Sequence, residues 1–270
     1  MGFDSFKNKV VVVTGAANGI GAAICHRFSR EGARIGLLDM DAKGVQAASD
    51  KLRASGVDAV GIRCDVVNED ECTSALKEII GLYGGIDVLV NNAGITQRSA
   101  FIDTQTSVYR RVMDVNFFGS LHCTKAAMAS LIERKGIIIV IESLAGIAPL
   151  LGRTGYCASK HALHGFFTSL RSELRATGTH IMLVCPGFVD TSLQSRALGA
   201  DGRVTTHPQS RVGKPISAGS VAEDIYKGLL KKKQLLVLTP VGKLTYWIHR
   251  FAPRFYERLM ARQLREELIR

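Results

Sequence analysis

The fold is decided by one stretch near the start of the chain: Lys9-Val10-Val11-Val12-Val13-Thr14-Gly15-Ala16-Ala17-Asn18-Gly19-Ile20-Gly21. Residues 9–14 form a continuous β-branched run, which is typical of a strand buried on both faces of a parallel sheet. Three glycines follow, and an apolar helical pattern then runs from Ile20 to about Arg30. A strand that passes through a glycine-rich turn into a helix predicts the first half of a βαβ unit.

The rest of the chain repeats this alternation. We predict further strands over residues 34–38, 58–64, 87–90, 136–141, 180–185 and 235–238. Helical patterns occupy residues 42–55 and 69–83, parts of 103–134, the stretch that carries Tyr156, and 220–232. Alternating strands and helices predict an α/β fold with one doubly wound, Rossmann-type parallel sheet. No repeat or linker divides the chain, so we expect one domain over residues 1–240 and a helical extension over 241–270.

Composition narrows the class of protein. The chain has 270 residues, of which 46% are hydrophobic and 22% charged, so it can bury a sizeable core. Its six cysteines include no CxxC pair, which argues against a metal site and for a reducing compartment. Residues 1–9 lack a secretory signal pattern, and no window approaches the ~20 apolar residues of a membrane span. We therefore expect a cytoplasmic protein.

Positive charge is concentrated at the C-terminal end. The net charge is +11, and residues 227–270 hold eleven Lys or Arg against three Glu. A basic tail is compatible with nucleic acid, an acidic membrane surface, an acidic partner, or solubility alone. Because no nucleic-acid-binding motif is present, we predict no nucleic-acid partner.

The glycine turn predicts a dinucleotide site. In this order of elements, backbone N–H groups and a helix N-terminus face the place where a pyrophosphate can bind. Glycine is needed where the backbone turns tightly or where a side chain would collide with the ligand. The spacing G-x3-G-x-G differs from the general G-x-G-x-x-G fingerprint. The candidate contacts are Gly15, Asn18, Gly19, Ile20 and Gly21.

Asp39 predicts which dinucleotide binds. It ends the second strand 18 residues after Gly21, near the ~20-residue offset of an acidic residue that binds the ribose 2′-hydroxyl. A carboxylate there repels a 2′-phosphate, and residues 15–21 contain no Lys or Arg. We therefore predict NAD, with NADP less favoured. Asp39 could also cap the following helix.

The stretch Tyr156-Cys157-Ala158-Ser159-Lys160 predicts an acid/base group. In a helix, Tyr156 and Lys160 lie on one face, one turn apart. A phenol normally titrates near pH ~10, and a neighbouring ammonium lowers its pKa. Such a phenol can exchange a proton with an alcohol or carbonyl oxygen near neutral pH. A half-buried ring beside an extended lysine is the structural alternative.

Together these motifs resemble the compact Tyr-x-x-x-Lys branch of the short-chain dehydrogenase/reductase family. The similarity covers about residues 8–192. It includes Thr14-Gly15-x-x-x-Gly19-Ile20-Gly21, Asp65, Asn91-Asn92-Ala93-Gly94, Asn116, Ser143, Tyr156-x-Ala158-Ser159-Lys160, Pro186-Gly187 and Thr191. The resemblance implies a Rossmann-type domain, hydride transfer with a nicotinamide, and assembly as a homodimer or homotetramer.

The resemblance also implies roles for single residues. Tyr156 is the acid/base group, and Lys160 lowers its pKa and binds the nicotinamide ribose. Ser143 hydrogen-bonds the substrate oxygen, and Asn116 holds a proton-relay water. Further cofactor contacts fall on Asp65, Val66, Asn92, Ala93, Gly94, Pro186, Gly187, Val189 and Thr191. The intact Ser143, Tyr156 and Lys160 favour an enzyme over a nucleotide-sensing regulator.

One residue departs from the family's pattern. Glu142 precedes Ser143, where the family more often has a small polar residue. Strand alternation turns it away from Ser143, so we expect a salt bridge on the far side of the sheet or a contact with an adjacent subunit.

The substrate side is less specific in sequence. By resemblance, residues 188–219 form a lid, and their length and composition predict a mobile loop. The apolar residues expected at the pocket are Leu144, Ala145, Leu150, Phe188, Leu193 and Leu198. They predict a hydrophobic secondary alcohol or ketone that is steroid-, hydroxyacyl- or lipid-like. The alternative is an NADPH-dependent 3-oxoacyl reductase whose basic lid meets an acidic carrier.

The extension over residues 241–270 reads as two basic amphipathic segments. A helix over 243–251 is interrupted by Pro253, and apolar residues then recur at three- or four-residue steps with Arg between them. Such a segment can lie on a membrane surface, pack on another subunit, or cover the substrate mouth. We expect protein packing first and peripheral membrane contact as the alternative.

Overall fold

The structure is a computed structural model that describes residues 5–206 and 213–268. Its strands are β1 (Val10–Thr14), β2 (Arg34–Asp39), β3 (Ala59–Arg63), β4 (Val88–Asn91), β5 (Ile137–Ile141), β6 (His180–Cys185), β7 (Val189–Asp190), β8 (Ile216–Ser217) and β9 (Leu235–Val237). Its α-helices are α1 (Gly19–Ser29), α2 (Ala42–Ala54), α3 (Glu69–Tyr83), α4 (Thr106–Met113), α5 (Gly119–Glu133), α6 (Thr154–Glu173), α7 (Ala218–Leu230), α8 (Pro240–Phe251) and α9 (Pro253–Gln263).

Seven strands form one parallel sheet in the order β3-β2-β1-β4-β5-β6-β9. Val11 pairs with Ile35 of β2 on one side and with Val88 of β4 on the other. The chain therefore leaves β1 toward one edge of the sheet and returns at β4 toward the other. This confirms the predicted doubly wound, Rossmann-type sheet. The switch point beside β1 is where open α/β sheets bind ligands.

Helices cover both faces of the sheet, and the alternation of β1 shows how. Val11 and Val13 join a core cluster with residues of α1 and α7. Val10 and Val12 point to the opposite face, into a cluster with residues of α3, α5 and α6. All four valines are buried. The β-branched run is therefore uniformly apolar because each of its faces meets a helix layer.

Three local features differ from the sequence prediction. The helix-rich region 103–134 resolves into α4, a π-helical stretch Asp114–Phe118, and α5. The two-residue strands β7 and β8 pair in parallel and were not predicted. Helix α8 begins three residues earlier than predicted, since Pro240 fits a first helical turn and Thr239 Oγ1 accepts from the Gly242 N–H at 3.0 Å.

The cysteines are all free, but three of them meet inside the protein. The Sγ atom of Cys72 lies 4.0 Å from that of Cys64 and 3.6 Å from that of Cys123. The contact with Cys123 and burial raise the pKa of the Cys72 thiol, whereas the contact with Cys64 acts in the lowering direction. Within the described ranges, no helix combines the length and the apolar character that a bilayer crossing requires.

Candidate active site

One large cavity opens at the carboxyl ends of the strands, beside β1. Its volume is about 1030 Å³, which lies at the upper end of the ~300–1,000 Å³ range of ligand sites. The β1–α1 turn and the ends of β2, β3 and β4 line one end of it. Segment 188–196 and helices α8 and α9 line the other. Every predicted site residue lines this cavity except Gly21, Asn116 and Leu198.

The glycine turn has the geometry that a close approach of a ligand requires. Gly15 and Gly19 have φ values of +63° and +58°, in the left-handed region. Gly21 lies behind the turn, where an added Cβ would collide with the Gly15 carbonyl oxygen. Its role is therefore close packing of turn and helix. Thr191 lies over the turn, since a Cβ on Gly19 would be 3.4 Å from its Cγ2.

Asn92 and Ala93 fix the end of β1. The Asn92 side-chain amide donates to the carbonyl oxygens of Thr14 at 2.8 Å and Gly15 at 3.0 Å. The backbone N–H groups of Asn92 and Ala93 both donate to Thr14 Oγ1 at 3.0 Å. The predicted cofactor residue Asn92 thus holds the glycine turn in place, although it also lines the cavity.

Asp39 connects the end of β2 to the glycine turn. Its two carboxylate oxygens accept from the backbone N–H groups of Ala17 at 2.9 Å and Asp41 at 3.0 Å. The expectation that Asp39 caps the next helix is wrong, because Asp41 is the N-cap of α2 and accepts from Gly44 N at 3.0 Å. Beside Asp39, the cavity is lined by Met40 and residues 64–67, none of which is Lys or Arg.

Asn116 lies in the π-helical stretch, a deviation that is frequent at functional sites. Its Oδ1 accepts from Ile95 N at 2.8 Å, and its Nδ2 donates to Ile95 O at 3.0 Å and Ser159 Oγ at 2.8 Å. The side chain is fully buried. It therefore ties the segment after β4 to α6, and the relay water stays a prediction.

Ser143, Tyr156 and Lys160 come together where the two ends of the cavity meet. The Ser143 hydroxyl lies just after β5, accepts from the Ala145 N–H at 3.1 Å, and acts on the Tyr156 phenol in the direction that lowers its pKa. Lys160 lies one turn further along α6, with its Nζ 5.7 Å from the centroid of the Tyr156 ring. The Lys160 ammonium donates to the Ile141 carbonyl at 2.8 Å. Tyr156 and Lys160 are both buried.

Burial dominates the titration of this group. It raises the pKa of Tyr156 to about 12, although the neighbouring Ser143 hydroxyl acts in the lowering direction. It also lowers the pKa of Lys160 to about 8. The expected net depression of the phenol pKa by Lys160 is therefore wrong in this structure. The reason is that burial destabilises the phenolate more than the neighbouring donor and positive charge stabilise it.

Gln97 was missed from sequence, yet it positions Tyr156. Its Oε1 accepts from the backbone N–H groups of Gly155 at 3.2 Å and Tyr156 at 3.4 Å. Its Nε2 donates to Gly152 O at 3.4 Å. A fully buried amide thus satisfies backbone N–H groups in the first turn of α6, beside Tyr156. No short motif marks such a long-range cap.

The predicted lid segment reaches back to the glycine turn. Arg196 Nη2 and Ser192 Oγ both donate to Asn18 Oδ1, at 3.2 and 3.3 Å. The placement of Leu198 at the pocket is wrong, because Leu198 packs in a separate small cluster with Val108 and Val112. Residues 207–212 of the predicted lid lie outside the described residues.

The C-terminal extension closes the substrate end of the cavity. Six of its aliphatic and methionine residues line the cavity: Val241, Leu244, Ile248, Leu259, Met260 and Leu264. The Tyr256 hydroxyl donates to Pro149 O at 3.3 Å. Arg153, just before α6, forms a buried ion pair with Glu267 at 3.5 Å. Among the described residues, the extension packs against the same chain and lines the apolar end of the cavity. Residues 269–270 lie outside the described residues.

Comparison with known proteins agrees with this geometry. The family model described as short chain dehydrogenase matches residues 9–200. The chain belongs to the short-chain dehydrogenase/reductase family. It is therefore an oxidoreductase that acts with NAD or NADP.

Relatives of this short-chain dehydrogenase match almost its whole length. "Dehydrogenase/reductase SDR family member 7B" of Bos taurus is 35% identical over 97% of this chain and 83% of its own. The Danio rerio protein of the same name is 32% identical over 97% of this chain and 88% of its own. The extension thus lies within the region that these relatives share with it, although the family model ends at residue 200.

Two solved structures share its fold. A short-chain dehydrogenase/reductase from Burkholderia phymatum in complex with NAD superposes with a TM-score of 0.83 and 24% identity, over 93% of this chain and 96% of that chain. A metagenomic short-chain oxidoreductase in complex with NADP superposes with a TM-score of 0.72 and 28% identity, over 88% of this chain and 99% of that chain.

Proposed function

We propose that this short-chain dehydrogenase transfers hydride between NAD and a hydrophobic secondary alcohol or ketone, with Tyr156 as the acid/base group. One observation carries the proposal. Ser143, Tyr156 and Lys160 line one cavity, together with the glycine turn and with the apolar side chains of α8 and α9. This arrangement supports proton exchange between Tyr156 and a substrate oxygen that would lie between the nicotinamide and the apolar wall.

The residues at the glycine-lined end fit a dinucleotide. Backbone N–H groups at the start of α1 suit a pyrophosphate, and the left-handed Gly15 and Gly19 leave room for its approach. Asp39 and Lys160 would bind the two riboses. When bound, oxidised NAD supplies a hydride acceptor and a positive charge.

The chain's own groups move the proton. Ser143 and Tyr156 orient the alcohol oxygen, and Tyr156 takes its proton as a phenolate or returns it as a phenol in the reverse direction. Because burial raises the pKa of Tyr156 to about 12, the phenolate depends on nearby positive charge. Lys160 and Arg153 supply such charge on the protein side. Alcohol oxidation should accelerate as pH rises, since the basic form is the reactive one.

Asp39 supports NAD as the cofactor. Its carboxylate is held at the end of β2 by two backbone N–H groups, so it cannot easily turn away from a ribose. The negative charge of Asp39 would repel a 2′-phosphate. The neighbouring residues that line the cavity include no Lys or Arg that could offset this repulsion. The NADPH-dependent 3-oxoacyl reductase has no comparable support at this position.

The apolar end supports a hydrophobic substrate. Leu144, Ala145, Leu150, Phe188 and Leu193 line it, and the apolar side chains of α8 and α9 close it. Burial of an apolar molecule against these walls stabilises the complex by ~25 cal/mol per Å² of apolar surface. Steroid-, hydroxyacyl- and lipid-like secondary alcohols have the required combination of one hydroxyl and a large apolar body.

A substrate panel tests the proposal. Purified protein is incubated with NAD or NADP and secondary alcohols of increasing apolar area, and formation of the reduced cofactor is followed by absorbance. We expect kcat/KM to rise with apolar area and to be higher with NAD. Ser143→Ala should lower it by about 100-fold, whereas the matched Ser195→Ala, in an exposed loop, should not. A preference for small polar alcohols would contradict the proposal.

We also propose that the outer face of the extension contacts an anionic membrane surface. Trp247, Phe251 and Phe255 are 53, 76 and 58% exposed, and Trp247 stacks on Phe251. Arg250 and Arg254 accompany them, so apolar surface and positive charge coincide. Since the inner face lines the substrate cavity, such contact would bring the cavity close to lipid-dissolved substrates.

Liposome sedimentation tests the membrane proposal. The double variant Trp247→Gln/Phe251→Gln should lose sedimentation with anionic vesicles. The matched variant Phe101→Gln/Ile102→Gln changes equally exposed apolar residues elsewhere and should retain it. Equal sedimentation of both variants and the unaltered protein would contradict the proposal. Assembly as a homodimer or homotetramer and a cytoplasmic location stay predictions of the sequence, and analytical ultracentrifugation measures the assembly.

A further inference from the structure

A buried carboxylate lies directly behind the active-site lysine. Glu142 follows β5, and its side chain is fully buried. His164 Nδ1 lies 3.1 and 3.3 Å from its two oxygens, and Cys185 Sγ donates to it at 3.3 Å. An added Cβ on Gly146 would collide with Glu142 Oε1. The carboxylate is therefore held on three sides by packed groups.

Glu142 shares the α6 side of the sheet with Lys160. Val140 packs in the core cluster that contains Leu163 of α6, and strand alternation places Glu142 toward the same helix. Its ion-pair partner is His164, which is positive only when protonated. His164 belongs to the helix that carries Tyr156, so the expected placement of the contact on the far side of the sheet is wrong. The Lys160 ammonium itself donates to the carbonyl of Ile141, the residue just before Glu142.

The buried carboxylate is also the main favourable charge for that ammonium. Burial lowers the pKa of Lys160, and the charge of Glu142 is the largest effect that opposes this. An ammonium removed from water needs such a counter-charge to keep its proton. The proposed proton transfer uses Lys160 and assigns no role to Glu142.

We propose that Glu142 is a positioning residue that keeps Lys160 charged and in place behind Tyr156, and that His164 and Cys185 hold Glu142 in turn. The catalytic meaning of this arrangement rests on the proposed function. Glu142 lies beside the cavity, and its carboxylate oxygens contact His164 and Cys185. Its effect on the reaction is exerted through the charge of Lys160.

The signs of the charges predict the direction in which each substitution shifts the pKa values of Lys160 and Tyr156. Among the described residues, Glu142 acts on Tyr156, Lys160 and His164 of α6 and on Cys185 of β6, while Arg171 acts on His164. The negative charge of Glu142 raises the pKa values of both Lys160 and Tyr156. Removing it must therefore shift both titrations toward lower pH. His164 carries a positive charge when protonated, so removing it must shift them the other way.

An NMR titration of Lys160 tests this without requiring turnover. Protein with isotope-labelled lysine is titrated without cofactor, and Lys160→Met assigns the signal. We expect a midpoint near the pKa of about 8 in the unaltered protein. Glu142→Gln, which keeps the size of the side chain, should lower that midpoint by about one pH unit. An unchanged midpoint in folded Glu142→Gln protein would overturn the proposal.

His164→Asn supplies the opposite arm, and it decides the matter if Glu142→Gln does not fold. An asparagine keeps a donor near the position of Nδ1 but cannot carry charge. The Lys160 midpoint should rise by a few tenths of a pH unit, and the pH profile of kcat/KM should move in the same direction. A purely structural cluster would impair both variants without shifts of opposite sign. A midpoint that is unchanged or lower in His164→Asn would contradict the proposal even if the enzyme stays active.

Discussion

The two ends of the cavity are built in different ways. At the nucleotide end, backbone N–H groups donate to side chains at the ends of neighbouring strands, such as Asn92 and Ala93 to Thr14 Oγ1 and Ala17 to the Asp39 carboxylate. At the substrate end, side chains from α8 and α9 pack near the start of α6, which lies nearly a hundred residues earlier in the chain. The first end needs specific residues in a short stretch, and the second needs apolar volume from distant segments.

This difference determines how cofactor binding and substrate selectivity respond to substitutions at the two ends. The nucleotide end tolerates few substitutions, because a Cβ added at Gly21 would collide with the Gly15 carbonyl oxygen. Apolar packing at the substrate end tolerates exchange of similar volumes and loses affinity gradually. Cofactor binding should therefore respond sharply to changes at one end, and substrate selectivity should respond gradually to changes at the other.

Among substitutions that compare the two ends of the cavity, Gly21→Ala should have the largest effect. The added Cβ would collide with the Gly15 carbonyl oxygen and lie 2.7 Å from the Asn92 amide. The turn must then move, and NADH affinity measured by fluorescence titration should fall by about 100-fold. Gly81→Ala is the matched control, because nothing lies within 4 Å of its added Cβ in α3. Unchanged NADH affinity in Gly21→Ala would show that the turn is not the cofactor site.

A smaller effect is expected from Asp39→Asn, which tests the choice between cofactors. The substitution keeps the size of the side chain and removes the charge that would repel a 2′-phosphate. The ratio of kcat/KM for NAD to that for NADP should fall by about 30-fold, equivalent to ~2 kcal/mol. Asp41→Asn changes the neighbouring helix cap and should leave the ratio alone. A ratio that already favours NADP in the unaltered protein would refute the NAD assignment.

The smallest of these effects should come from Leu264→Ala at the substrate end. Leu264 is buried and lines the cavity, so its truncation removes apolar contact with a substrate. We expect KM for hydrophobic alcohols to rise about fivefold, which corresponds to ~1 kcal/mol of lost burial. NADH affinity should stay the same, since the two ends are built separately. Leu268→Ala, at a more exposed site, is the control, and weaker NADH binding in Leu264→Ala would break the comparison.

The same contrast explains what the sequence could predict. The valine run, the glycine turn and Asp39 act within one βαβ unit, so their order and spacing predicted both the sheet and the nucleotide end. Tyr156 and Lys160 were found from their helical spacing. Their pKa values were not, because these depend on burial by segments far away in the chain.

The residues that sequence reasoning missed act over long distances. Gln97 reaches across to the start of α6, and Glu267 meets Arg153 from the far end of the chain. Neither belongs to a short motif. Glu142 was noticed as a departure, but its partner His164 could be assigned only once α6 was placed on its side of the sheet. Tertiary packing decides such pairs, and spacing along the chain does not reveal them.

The central claim is that Tyr156 exchanges the proton while a nicotinamide bound beside the glycine turn exchanges the hydride. Tyr156→Phe tests it most directly, with NADH affinity and kcat measured on the same preparation. The account predicts NADH affinity within about twofold of the unaltered protein and a kcat at least 1,000-fold lower, on the order of what acid/base catalysis contributes. Tyr109→Phe, which removes a phenol that hydrogen-bonds Thr154 at 3.2 Å, should retain turnover. Undiminished kcat in Tyr156→Phe would contradict the account.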